Sequence, residues 1–176
     1  EKPAAESTDQ LREWSREGAA GLITTSFSRR FWGRYRGLKT AERNAGALTL
    51  MLETSAEGWG PVEQRAHDPL RDLMPHLVDL ARWITGERAV AVRALDGDDQ
   101  RVTLELELAD ARAVTCIAGS ADVYAEYVEV DSVRRVIGPP SARESAVRRL
   151  IRQPDEDVRA FREMLRRWES RLRGEP

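Results

Sequence analysis

"RAVAVRALDGDDQRVTLELELADARAVTCIAG", residues 88–119, contains three stretches rich in apolar and β-branched residues, and the connections between them are short and polar. "RAVAVRAL", "QRVTLELEL" and "ARAVTCIAG" read as strands, because branched side chains suit a pleated, half-buried surface. The linkers "DGDDQ" and "ADA" are too short for a crossover helix, so they imply hairpins and an antiparallel sheet. "VTLELEL" alternates apolar with polar, which predicts one polar sheet face and one face packed on helices. Two further strands, "AEYVEV" (125–130) and "SVRRVIG" (132–138), follow, and Pro139 and Pro140 end the sheet.

Upstream, "ALTLMLETS" (47–55) alternates like another strand, with one buried face, and "LITTSFSRRF" (22–31) is β-branched and aromatic enough to read as one too. Ser7 or Thr8 can cap a helix bearing Leu11 and Trp14 that ends near Gly18–Gly21, and a short helix is expected over residues 33–44. "AEGWGPVEQRAHDP" (56–69) is a loop punctuated by glycine and proline. From Leu70 to Thr85 the pattern becomes helical, with Gly86 as the C-cap.

Beyond the sheet, Ser141 and Glu144 make a capping-box pattern for a helix to about Gln153, and Pro154-Asp155 opens a second one. In that last helix Val158, Phe161, Leu165, Trp168 and Leu172 step by three and four, which gives it an apolar seam to bury. The expected architecture is a single α+β domain over residues 1–176, an open and largely antiparallel sheet with helices on one face, ending in a helical segment over 141–176.

Composition narrows the function. The 176 residues are 41% hydrophobic and 33% charged, with a net charge of −2, so nothing favours a polyanion or an acidic membrane surface. Binding to nucleic acid or a membrane is therefore not expected. Cys116 is the only cysteine and sits in an apolar run, so it reads as a buried thiol in a protein of a reducing cytoplasm. Of 28 basic residues only Lys2 and Lys39 are lysines. No G-x-G-x-x-G, G-x-x-x-x-G-K-[ST], C-x-x-C or H-E-x-x-H occurs.

"HDPLRDLMPHLVDLARWITG" (67–86) holds both histidines. On one continuous helix Asp72, His76, Asp79 and Trp83 share a face beside the apolar stripe of Leu73, Leu77, Leu80 and Ile84. Spacing alone leaves three readings open. Two aspartates can bracket His76 as a solvated ladder, Asp72 and His76 with His67 can ligate a metal, or His76 can be an acid-base group tuned by Asp72. "RRFWGRYR" (29–36) reads as core aromatics mixed with surface arginines.

Taken together, Glu1-Lys2-Pro3 and "DLMPHLVDLARWITG" resemble the Gfo/Idh/MocA family, the glucose-fructose oxidoreductase, inositol dehydrogenase and rhizopine-catabolism group. That family carries an E-K-P motif at the end of its nucleotide-binding region and a later helix with D-x-G-x-H-x-x-D followed by tryptophan and glycine. Here the second motif falls on Asp72, His76, Asp79, Trp83 and Gly86, with Met74 where the family usually has glycine and His67-Asp68-Pro69 in place of its glycine-rich run.

The resemblance implies the C-terminal substrate-binding and catalytic domain of an NAD- or NADP-dependent oxidoreductase acting on a sugar, cyclitol or related hydroxy compound. Residues 1–3 would be a remnant of the junction with an upstream Rossmann domain that binds most of the cofactor. Lys2 and Pro3 would lie on the cofactor side, with the Lys2 ammonium beside the reacting hydroxyl. His76 would exchange the substrate proton, Asp72 would bind a substrate hydroxyl and orient His76, and His67 would be a further substrate contact. Asp79 would support them. The family also implies a homo-oligomer through the sheet. Two alternatives stay open: a non-catalytic binding or dimerisation module on the same fold, and transient oxidation in the service of elimination or glycoside cleavage.

Overall fold

A computed structural model describes residues 7–16, 27–41, 46–54, 68–138 and 156–173. Lys2, Pro3, His67, the first half (22–26) of the predicted 22–31 strand and the predicted 141–153 helix lie outside those residues. The elements in chain order are α1 (Thr8–Arg16), a 3-10 turn (Ser28–Phe31), α2 (Gly33–Ala41), β1 (Leu48–Thr54), α3 (Pro69–Asp72) and α4 (Met74–Thr85). There follow β2 (Ala89–Gly97), β3 (Arg101–Leu108), β4 (Ala113–Ser120), β5 (Ala125–Val130), β6 (Val133–Val136) and α5 (Glu156–Leu172).

The six strands form one open sheet in the order β2-β3-β4-β1-β5-β6, and every neighbouring pair is antiparallel except β1 with β4. The five strands read from residues 88–138 are all present, but they are not a plain meander, because β1 inserts between β4 and β5. Its sequence accounts for that position. Leu50, Met51 and Leu52 are buried in succession, so both faces of β1 are covered, as befits a central strand and not one with a single buried side. The chain then crosses over β1 through residues 121–124, about 13 Å of extended backbone against two strand spacings of about 10 Å.

Local chemistry closes the turns. Asp98 Oδ1 accepts from the backbone N–H groups of Gln100 and Arg101, both at 2.8 Å, between β2 and β3. Between β5 and β6 the turn residues Asp131 and Ser132 both have positive φ, 47° and 70°, the twist that lets a two-residue loop join right-handed strands.

Leu48, Leu50, Leu52, Val114, Cys116, Ala118, Leu106, Leu108, Val128 and Val130 line one side of the sheet, where they meet Leu77, Leu80 and Ile84 of α4 and Tyr35 and Leu38 of α2. Burial pushes the Cys116 thiol up to about 12, so it stays protonated and unreactive in this core.

Three further expectations are corrected. Residues 28–31 are a 3-10 turn, not strand; aromatic and β-branched content measures fit to a pleated surface, and this segment instead presents side chains to two different layers. The helix read as continuous from Leu70 to Thr85 is two. Pro75 lacks an N–H and its ring excludes the carbonyl four residues back, so α3 stops at Asp72 and α4 restarts at Met74, with Leu73 capping both. Finally, the α5 seam is not buried among the described residues. Val158, Phe161, Leu165 and Leu172 are 41–49% exposed, and the helix instead buries Ala160 and Met164.

Candidate active site

α4 is positioned by three local devices. Asp68 caps α3, its carboxylate accepting from Leu70 N at 2.9 Å and Arg71 N at 3.4 Å, with Pro69 at the first helical position where no N–H is needed. The Leu73 carbonyl accepts from His76 N at 3.0 Å, which starts the second helix. Gly86, at φ 76°, closes it in the left-handed conformation and donates to the Arg82 carbonyl at 2.9 Å.

His76 and Asp79 both lie on the covered side of α4, 7% and 6% exposed. The His76 ring meets Phe27 edge to face, with centroids 5.8 Å apart. Asp79 is gripped by both arms of the Arg30 guanidinium: Nε donates to Oδ2 at 2.5 Å and Nη2 donates to Oδ1. Burial raises the Asp79 pKa, against the opposing pull of Arg30 and Arg82. Asp72, half-buried, accepts from Asp68 N at 3.2 Å and so turns back along its own short helix. The solvated-ladder reading therefore fails for Asp79, whose buried carboxylate is committed to an ion pair with the half-exposed Arg30. Among the described residues no group of three or more His, Cys, Asp or Glu side chains could hold a metal ion.

A second polar cluster, linked to the first through the neighbouring residues Arg29 and Arg30, is not among the candidates the sequence offers. Glu126 on β5 is 1% exposed. Its Oε1 accepts from Arg29 Nε at 2.9 Å and Tyr35 Oη at 2.6 Å, and its Oε2 accepts from Tyr124 Oη. Burial pulls the Arg29 guanidinium down, but Glu126 and Tyr124 hold it above its ordinary value. Burial and the adjacent Glu126 carboxylate push both tyrosines up, so they remain donors at neutral pH. The signal was available. In "AEYVEV" Glu126 has the parity of Val128 and Val130, which places a carboxylate on the core face of the strand, where it must be paired.

The "RRFWGRYR" segment supplies both clusters. Trp32 and Tyr35 are core, as expected, but its arginines do more than coat the surface. Arg29 serves Glu126, Arg30 serves Asp79, and Arg34 donates to the Ile137 and Gly138 carbonyls where the chain leaves β6.

Two searches, one of protein-family profiles and one of curated sequences, found no match. Solved structures do match. The apo scyllo-inositol dehydrogenase of Lactobacillus casei aligns with TM-score 0.71 and 17% identity, over 99% of this chain and 61% of its own. The fold is shared with the inositol dehydrogenases. The myo-inositol dehydrogenase of Corynebacterium glutamicum gives TM-score 0.68 and 15% identity over 99% of this chain and 62% of that one. The Thermus thermophilus WlbA dehydrogenase, solved with NAD and UDP-GlcNAcA, gives 0.54 and 18% over 88% and 57%. This chain thus spans about 60% of the length of the dehydrogenases it matches, and the resemblance to the Gfo/Idh/MocA family drawn from the two motifs is matched at the level of fold.

Proposed function

We propose that this chain is the substrate-side portion of an NAD- or NADP-dependent oxidoreductase of the Gfo/Idh/MocA type, acting on a hydroxyl of a sugar, cyclitol or related polyol. The observation that carries the reading is His76, a buried imidazole on α4 at the matching place in the second family motif, within a fold shared with inositol dehydrogenases.

The donor chemistry fits the hydroxyl side of a hydride transfer. A bound nicotinamide would supply the hydride acceptor. Its pyrophosphate would need a glycine-rich cradle, which these 176 residues lack, so a nucleotide-binding unit outside them is part of the proposal. In the oxidative direction His76 accepts the hydroxyl proton as the C–H bond breaks, and it returns that proton in reduction; such a group contributes about 10²- to 10⁴-fold. Asp72, at the end of α3, binds a neighbouring substrate hydroxyl and orients the imidazole. Lys2 favours the developing alkoxide with its ammonium, a role the arginines that dominate the chain would fill poorly, since guanidinium does not share its proton. Pro3 belongs to the cofactor side of that motif and His67 to the loop that meets substrate.

His76→Asn in the protein carrying the nucleotide-binding unit should lower kcat by about 10²- to 10⁴-fold with folding intact. Unchanged turnover would refute the assignment. The 176-residue chain alone should not quench or enhance nicotinamide fluorescence, and tight NAD binding by it would sink the division of labour.

A further inference from the structure

The 3-10 turn joins the two polar clusters, and that juxtaposition has a consequence for His76. Arg29 and Arg30 are adjacent in one tight turn and reach opposite ways. Arg29 goes to Glu126 on the sheet and Arg30 to Asp79 on α4, while Phe27, which leads into the turn, packs its ring on His76. The imidazole is thus held from the same turn twice, through its own edge and through the carboxylate three residues along its helix.

We propose that Arg30 is a positioning residue for His76. Its two-armed grip on Asp79 sets the rotation and height of α4 against the turn, and so sets where the His76 ring stands relative to Phe27 and to the substrate side. The geometry favours this role over simple stabilisation for two reasons. A fork paired to a carboxylate through two parallel bonds fixes orientation as well as distance, which a single ammonium cannot do. The anchor is also rigid: the turn is tied to β5 through Arg29 and to a Glu126 carboxylate that takes three side-chain donors, so the grip of Arg30 refers α4 to the sheet itself. Three residues in a row, Arg29, Arg30 and Phe31, serve four different elements, since Arg29 reaches β5, Arg30 reaches α4, and Phe31 lies under the guanidinium groups of Arg36 on α2 and Arg167 on α5.

The inference rests on the proposed role of His76 for its catalytic meaning, but its test does not. The chain has only two histidines, so a ¹⁵N-histidine spectrum of the 176-residue protein contains two ring systems, and His67→Gln assigns them. Arg30→Lys keeps the charge and removes the fork, and Asp79→Asn keeps the shape and removes the carboxylate. Both should move the His76 ring-proton resonances in the direction that Phe27→Leu moves them, because each loosens the ring from Phe27. Arg101→Gln, which breaks an ion pair with Glu53 on the sheet, should leave His76 unmoved. Arg30→Gln should give the largest displacement, and if that variant fails to fold, Arg30→Lys and Asp79→Asn decide. A His76 ring that does not move in folded Arg30→Lys and Asp79→Asn proteins overturns the proposal.

In the protein that turns over substrate, Arg30→Lys should lower kcat by up to about 10²-fold with KM little changed, the signature of a misplaced group and not of a lost substrate contact. Displacement of the His76 resonances together with full activity of His76→Asn would leave Arg30 as the residue that places His76 and refute the catalytic assignment alone.

Discussion

Helices α4 and α5 carry the same kind of apolar stripe and use it in opposite ways. In α4 the stripe of Leu77, Leu80 and Ile84 is wholly buried against the sheet. In α5 the stripe of Val158, Phe161, Leu165 and Leu172 is 41–49% exposed, and the helix docks beside the 3-10 turn with Ala160 and Met164, 1% and 8% exposed. At 3.6 residues per turn the docked face stands about 100° around the helix from the stripe, with Trp168, half-buried, on the border. Periodicity therefore reports that a helix has a seam. Whether the seam meets the body of its own chain depends on where the neighbouring elements stand.

The sharpest way to test the comparison is to cut the same side chain from each helix. Leu80→Ala removes atoms from a site with no exposure and leaves a cavity between α4 and the sheet, so urea unfolding should show a loss of about 2–5 kcal/mol. A loss below about 1 kcal/mol would mean that α4 is not seated on the sheet as described.

That contrast also explains what could be read in advance. The strands from residue 88 to 138 were legible because each is bounded by turn residues and carries its own alternation, and the stripe of α4 was legible from Leu77, Leu80 and Ile84. The insertion of β1 between β4 and β5 was not, since strand order depends on which backbones pair across long separations, although the unbroken burial of Leu50, Met51 and Leu52 has an obvious trace in sequence. The break at Leu73 is readable from Pro75, although the helical period runs across it. In the candidate site, Asp79 and His76 could be named from their motif, whereas Arg30 and Glu126 could not be matched to their partners, because no local pattern pairs a residue in a turn with one 49 or 97 positions away.

Met164→Ala sharpens the comparison from the side of α5. If the helix is held by Ala160 and Met164, this change should cost about 2 kcal/mol, near the lower end for a buried methionine because one side of the site borders solvent. Proteolysis in the native state should then begin in α5 before it reaches the sheet.

A smaller effect follows from the pH dependence of Asp79, whose folded pKa is raised by burial beyond what Arg30 and Arg82 oppose. Between the ordinary carboxylate pKa of about 4 and the higher folded value, the native state holds more protons than the unfolded state, so stability from this group falls as pH rises through that window. Subtracting the unfolding free energy of Asp79→Asn from that of the parent protein at each pH isolates the group. The difference should decline from pH 4 upward and then level off. A difference that rises over the same window would show that Arg30 outweighs burial and that the pair is a net stabiliser of the ionised form.

The smallest effect is expected where the stripe is most prominent in the sequence. Leu165→Ala alters a residue 41% exposed, on the face of α5 turned away from Met164, so at low protein concentration its unfolding free energy should stay within about 0.5 kcal/mol of the parent. That near-silence is what distinguishes the two helices, since the equivalent cut in α4 empties a core site. The measurement gains force when repeated over a range of protein concentrations. A penalty that remains small at every concentration means the stripe is solvent-facing in this chain, its apolar residues contributing little to the stability of the fold. A penalty that grows with concentration means that a second copy covers the seam, because a stability term arising from association scales with the amount of protein present. In that case α5 would resemble α4 after all, with its apolar stripe buried across copies.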